Sequence, residues 1–375
     1  MQSANDKRVF GLDIVRATAI LLVLASHFVF IVPMQAKTRG LIHLFCGFAG
    51  VEIFFVLSGY LVGSILLRLS SGGGWDREKT KLFWIRRWFR TLPLYYLLLI
   101  VNAAFYFYIH HEFVFARPYN LLYFIFLQNF FAAHPFFFSE AWSLSVEEVF
   151  YLSVPFMAYM VRHKSAGSKA EFYSVAGWIA GFTILRLFIV HRFDPSWDYG
   201  IRMVVPLRLD SLMAGVLMAW FSKYFPAQVM KYRVHLLSVG LVLLIFSCWW
   251  LRRDVIETGM DAGFFSKTFL FNFFSFSFAF CLPFFASLYH MQDRYISGAI
   301  VHISRVSYSL YLTHSIVLYF FVALCNKWSI LQSSQLRLSG AFLLCVLIAS
   351  IVYRYYEKPM MDLREKYAEK PVARF

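Results

Sequence analysis

Along this chain apolar residues neither alternate nor gather on one helical stripe; they fill whole windows of about 17–25 residues, separated by short polar or basic stretches. Ten windows, 10–32, 43–67, 83–109, 141–161, 172–191, 204–221, 234–251, 268–289, 303–324 and 336–353, are each long enough to cross a hydrocarbon layer of ~30 Å. Backbone in lipid must satisfy its own N–H and C=O groups, so the windows predict helices. The expected fold class is all-α: a polytopic membrane bundle of about ten transmembrane helices. An even number returns both termini to one side, and the excess of Lys and Arg on that side makes both termini cytoplasmic. The segment 119–138 breaks the pattern. Its stretch NLLYFIFLQNFF is too short to span and runs on to Pro135, so it is expected to lie at the interface or to re-enter the membrane.

Composition closes off the soluble alternatives. Of 375 residues, 60% are hydrophobic and 15% charged, with 44 Phe, more apolar surface than a water-soluble core absorbs. The net charge of +15 raises the question of nucleic acid, but the basic residues sit at helix ends rather than along one stripe, so no nucleic-acid partner is expected. Cysteines 46, 248, 281, 325 and 345 are scattered through apolar segments without CxxC pairs, which predicts neither a disulfide framework nor a metal. The first window has no small-residue cleavage site and carries Asp13, Arg16 and His27, marking a retained helix rather than a signal peptide. The organisation expected is one membrane domain over 1–375. Residues 10–356 form the bundle, 357–375 a short charged cytosolic tail, Arg68–Lys81 a flexible inner turn, and no soluble domain is appended. Internal repeats of the kind that build many transporters are not evident.

Ionisable groups inside an apolar helix are costly and therefore informative. Arg16 and His27 are eleven residues apart, about 1100° of helical turn, which brings His27 to within ~20° of Arg16; Asp13 shares that face. The same eleven residues rise about 16 Å, so one helix presents a cation near the inner surface and an imidazole near mid-membrane or beyond. An imidazole with its ordinary pKa near 6.5 is suited to take a proton from an attacking hydroxyl.

With this first helix, five patches resemble the acyltransferase 3 family of membrane O-acyltransferases: GVEIFFVLSGYLVG at 50–63, FWIRRWFRTLPLYY at 83–96, AWSLSVEEVFY at 141–151, RLDSLMAG at 208–215 and SYSLYLTHS at 307–315. Their shared order covers nearly the whole chain. The resemblance implies acyl transfer, acyl-CoA as donor co-substrate with no tightly bound cofactor, and roles for Trp142, Ser143 and Glu147.

On that reading Arg86, Arg87 and Arg90, at the inner entrance of the third helix, are candidates to hold donor phosphates, or else anchor the helix to anionic lipid. Glu147 is a candidate to orient the imidazole, position an acceptor sugar or pair with a buried Arg. Glu52 is expected in the outer half of the second helix close to His27. Ser58, six residues on, lies on the opposed face and is not expected to be a nucleophile. Arg16 is assigned to donor binding or to pairing with Asp13. Arg208 and Asp210 are expected to pair with neighbouring helices, Tyr308, Tyr311 and His314 to pack or line a cavity, and His110, His111 and His134 to be interfacial. The expected catalytic residues are therefore His27, Glu147 and Arg16, the donor-binding residues Arg86, Arg87 and Arg90, and the substrate-binding residues Trp142, Ser143, Glu52 and Asp13. The function expected is transfer of an acyl group, acetyl foremost, from acyl-CoA on the cytosolic side to a hydroxyl of a carbohydrate or glycolipid, in the cytoplasmic (inner) membrane. The acceptor is met by the bundle itself or by a separate periplasmic partner. The competing reading is a transporter or flippase of a glycan or lipid using the same Arg, His and Glu positions.

Overall fold

The computed structural model describes residues 8–71, 76–131, 136–164, 168–257, 259, 261, 263–328 and 333–368. In chain order its helices are α1 (Phe10–Phe28), α2 (Ala36–Ser71), α3 (Arg77–His110), α4 (Ala141–Lys164), α5 (Ser168–Phe193), α6 (Leu209–Tyr224), α7 (Pro226–Lys231), α8 (Arg233–Glu257), α9 (Phe264–Lys267), α10 (Leu270–Ala286), α11 (Arg294–Lys327), α12 (Ser334–Val352) and α13 (Lys358–Ala368). Every apolar window of the sequence holds one long helix, and the described residues are all-α. Seven stretches, α1, α2, α3, α5, α8, α11 and α12 with its continuation into α13, are long and apolar enough to cross a membrane. The other three long helices sit differently. α4 carries Glu147 and Glu148, and α6 and α10 have only 16 and 17 residues. α6 is buried along nearly its whole length, so protein rather than lipid surrounds it.

The centre of the bundle is α1, α2, α6 and α10, with α8 against α10, α5 against α6, and α11 between α1 and α12. α2 and α6 approach closely because each presents a glycine where they cross. A Cβ at Gly59 would lie 1.8 Å from the Leu212 carbonyl oxygen, and one at Gly215 would lie 2.0 Å from that of Val56. Only hydrogen fits at either position.

A polar knot ties these helices together. Arg208, at the start of α6, pairs with Glu52 of α2, and Arg186 of α5 pairs with Asp210 at 2.8 Å, all four side chains being almost wholly buried. Ser275 joins Glu52 (3.1 Å) to Ser211 (2.9 Å), Asn272 bonds both Arg186 (2.6 Å) and Asp210 (3.0 Å), and the Phe271 ring lies under both guanidinia at 4.1 and 5.1 Å. Charges at this depth persist only when partnered. Arg208 and Asp210 thus pair with neighbouring helices as expected.

One expectation changes. The inner turn is shorter than Arg68–Lys81, because α2 runs on to Ser71 and Asp76 caps α3, accepting from the Lys79 N–H at 2.8 Å. Hydropathy marks where lipid ends, whereas helical hydrogen bonding continues until a cap stops it. Beyond α12 a π-helical turn, Tyr353–Glu357, leads into α13, which packs on α3. Between α3 and α4 the chain forms 3-10 turns at Val114–Ala116, Pro118–Ile125 and Phe136–Phe138. Its apolar side chains Leu121, Phe124 and Ile125 face outward, while Gln128 and Asn129 are buried over the start of α4. Gln128 donates to the Ala141 carbonyl (3.3 Å) and the Ser145 hydroxyl (2.5 Å), and Asn129 to the carbonyls of Trp142 (3.0 Å) and Met203 (2.5 Å). This segment pins the N-terminus of α4. His110 and His111 end α3 in exposed positions, and His134 lies outside the described residues.

Candidate active site

Two cavities meet near the middle of the bundle. The inner one, about 90 Å³, is walled by α1, α2, α3, α4 and α11 and lined by Arg16, Ser58, Arg87, Arg90, Thr91, Glu147, Tyr151 and Tyr308. The outer one, about 430 Å³, is lined by His27, His43, Glu140, Trp142, Asp198, Arg202, Tyr311 and His314. Val51 and Tyr311 line both. Between them the Ser143 hydroxyl lies 2.6 Å from the Tyr311 hydroxyl, and Tyr311 also donates to the Glu140 carbonyl at 3.2 Å. These two hydroxyls form the partition.

The inner cavity is cationic. Three guanidinia face one carboxylate, and among the described residues none of Arg16, Arg87 or Arg90 forms an ion pair. Arg87 lies over the Tyr151 ring at 5.5 Å; the Tyr151 hydroxyl bonds Ser58 (2.6 Å) and donates to Glu147 (3.2 Å). Glu148 turns aside to accept from Thr91 at 2.7 Å. Arg86 is exposed and outside the cavity, so the structure does not bring it together with Arg87 and Arg90. The buried face of α3 carries Phe83, Thr91 and Leu94, and Arg87 lies ~60° from Arg90 on the side toward that face, whereas Arg86 falls on the other side.

The outer cavity is built around imidazoles. The His27 ring lies 4.8 Å from that of His314 and 5.5 Å from that of His43. Because carbonyls only accept, the Nδ1 atoms of both neighbours carry the proton when those rings are neutral: His43 donates to the Ser26 carbonyl and His314 to the Tyr311 carbonyl, each at 2.7 Å. Ser315 donates to His314 Nε2 at 3.3 Å. Among the described residues neither nitrogen of His27 has a protein hydrogen bond, so its lone pair stays open to the cavity. Glu140 is 6% exposed, and its Oε1 has no partner among the described residues. Arg202, paired with Asp198 on the π-helical turn Trp197–Arg202, lies over the Trp142 ring at 4.7 Å.

The structure therefore sorts the expected site residues into groups. Arg16, Arg87, Arg90, Ser143 and Glu147 share the inner cavity, and His27 and Trp142 the outer one. Glu147 does not face His27; a single helix places it below the Ser143 partition, and the carboxylates on the His27 side are Glu140 and the Arg202-paired Asp198. Glu52 is held by Arg208 and Ser275 and lines neither cavity. Asp13 pairs with Arg8 (2.5 Å) and accepts from Ser304 of α11 (2.6 Å), so it neither pairs with Arg16 nor reaches a cavity. Sequence reasoning missed His43, Glu140, Asp198 and Arg202. Each is ionisable and close to the end of an apolar window, the place where topology explains a charge too readily.

The Acyltransferase domain family matches residues 9–354. An OatA peptidoglycan O-acetyltransferase of Listeria monocytogenes is 33% identical over 166 residues, 40% of this chain and 24% of that one. An OatA O-acetyltransferase of Staphylococcus aureus is 24% identical over 371 residues, 93% of this chain and 57% of that one. A second chain of that species, from strain COL and provisionally named as an O-acetyltransferase, is 26% identical over 374 residues, 93% of this chain and 56% of its own. This chain thus spans about half the length of the curated relatives it matches over most of its own length. No solved structure matches. The ordered motifs, the all-helical bundle and the family match agree, and the chain belongs to the acyltransferase 3 family of membrane enzymes that transfer acyl groups.

Proposed function

We propose that this protein takes an acyl group from acyl-CoA on the cytosolic side of the cytoplasmic membrane and passes it to a hydroxyl of a carbohydrate or glycolipid on the outer side. Acetyl is the group that the relatives' names carry. The single observation that carries this reading is the pair of cavities. Unpaired Arg16, Arg87 and Arg90 lie on one side of the Tyr311–Ser143 partition and open-nitrogen His27 on the other. On this reading ten helices cross the membrane, α4, α6 and α10 included, both termini are cytosolic, and the inner cavity faces the cytosol.

Guanidinia hold phosphate oxygens as charge-assisted donors. The donor's phosphates bind at the inner mouth and its pantetheine arm extends to the partition. His27 Nε2 or Nδ1 accepts the proton of the acceptor hydroxyl, whose oxygen attacks the thioester carbonyl from within ~3.5 Å. Hydroxyl donors at the partition, Tyr311 and Ser143, meet the oxyanion that forms there. Glu140, buried beside the imidazoles, stabilises the imidazolium. Trp142 offers a ring and Arg202 a guanidinium to the acceptor.

The test is transfer from radiolabelled acetyl-CoA to supplied glycans by membranes containing wild-type protein or His27→Ala at matched expression. Labelled product with wild type and its loss in the variant support the reading. Equal transfer by both removes His27 from the reaction, and accumulation of unmodified glycan without transfer replaces the enzyme with a transporter.

A further inference from the structure

His27 lines a third space besides the outer cavity. A groove of about 560 Å³ runs from it along the outer half of α11 and is open on one side. Its wall is apolar: Phe30 beyond the end of α1, and Leu318, Tyr319, Val322 and Ala323 of α11. The four α11 positions follow the i, i+3/i+4, i+7/i+8 spacing of Ser315, so they form one helix face, which reaches Asn326 after about 16 Å of rise. Among the described residues no acidic or basic side chain other than His27 lines it.

The geometry points to this groove as the binding site for the hydrocarbon chain of the transferred acyl group, with room for donors well beyond acetyl. The inference rests on the acyl-transfer reading and widens it. In the tetrahedral intermediate the reacting carbon carries three substituents besides its oxyanion: the sulfur of CoA, the acceptor oxygen and the acyl chain. The arginine-lined cavity suits the first and the polar outer cavity the second. The apolar groove is the remaining direction from His27, and its lining suits the third. The reaction balances without a further reactant. The acceptor O–C bond forms, the C–S bond breaks, and the hydroxyl proton passes through His27 to the departing thiolate, giving an ester and free CoA. A methyl group alone has no use for a groove one helix face long.

Chain-length profiles on membranes containing the full chain test this, using acetyl-, butyryl-, hexanoyl-, octanoyl- and decanoyl-CoA. Wild-type kcat/KM is expected to rise by up to about fourfold for each methylene sheltered, and then to level off. Val322→Phe and Ala323→Phe, which fill the groove, are expected to lower the ratio of octanoyl to acetyl transfer by up to roughly fifteenfold, the equivalent of two sheltered methylenes. Because the ratio is taken within one variant, partial misfolding cancels. Leu343→Phe, on the exposed face of α12, serves as control and keeps the wild-type ratio. Transfer confined to acetyl, or an unchanged ratio in both groove variants, overturns the assignment and gives the groove to an alkyl chain on the acceptor or to bulk lipid. Absence of transfer from every donor overturns acyl transfer itself, and this inference with it.

Discussion

The Ser143 hydroxyl stands 2.6 Å from the Tyr311 hydroxyl at the level where the arginine-lined cavity gives way to the histidine-lined one. A pair of preorganised hydroxyls in a site shielded from bulk water is suited to receive charge that develops on a carbonyl oxygen. Tyr311→Phe keeps the ring and removes the donor. It is expected to lower kcat roughly hundredfold with little change in KM, measured as initial rates of acyl transfer at saturating donor.

The arginines separate by position rather than by charge. Arg87→Gln and Arg90→Gln are each expected to raise KM for acyl-CoA by about tenfold or more, the loss of one charge-assisted hydrogen bond. Arg86→Gln, at an exposed position outside the cavity, leaves KM near wild type. Equal effects at all three positions would mean that general attraction to the basic inner surface, not the cavity, holds the donor.

The two carboxylates predict opposite outcomes. Glu140→Gln, on the His27 side, removes the charge that supports an imidazolium and lowers kcat roughly tenfold. Glu147→Gln removes the one negative charge among three guanidinia, so donor phosphates bind more tightly and KM for acyl-CoA falls. Steady-state kinetics on both variants decide the assignment.

The knot of buried charges is a stability device. Glu52→Gln or Arg208→Met leaves its partner charged and unpaired, at a cost of about 3–5 kcal/mol. The double replacement Glu52→Leu with Arg208→Met removes both charges and is expected to recover most of that loss. Thermal unfolding of the purified protein in detergent reads both.

Much of this was legible in the sequence because lipid imposes one rule everywhere. A helix must be apolar for long enough, so all ten windows found their helices. The pairing of Arg208 and Asp210 followed from the expense of an unpartnered charge. The candidate site was legible on α1 only as far as eleven residues fix the relation of Arg16 to His27 by helix geometry alone. It failed where the deciding quantity was how a neighbouring helix is rotated. Nothing within α3 says that its inner face turns toward Arg87 rather than Arg86. Nothing within α2 says that Glu52 faces Arg208 of α6 rather than His27. Asp13 went to Arg8 and Ser304 for the same reason: helical spacing places groups on a face but does not say what that face meets.

The partition at Tyr311 and Ser143 has a consequence for the cell as a whole. Under the proposed function a slender thioester arm reaches it from one side and a sugar hydroxyl from the other, while the bulk of each remains where it began. On the proposed reading, what crosses the bilayer is only the acyl fragment, handed over as a bond is exchanged. Hydroxyls of the outer compartment are thereby acylated without export of any activated carrier, and the cytosol keeps its coenzyme.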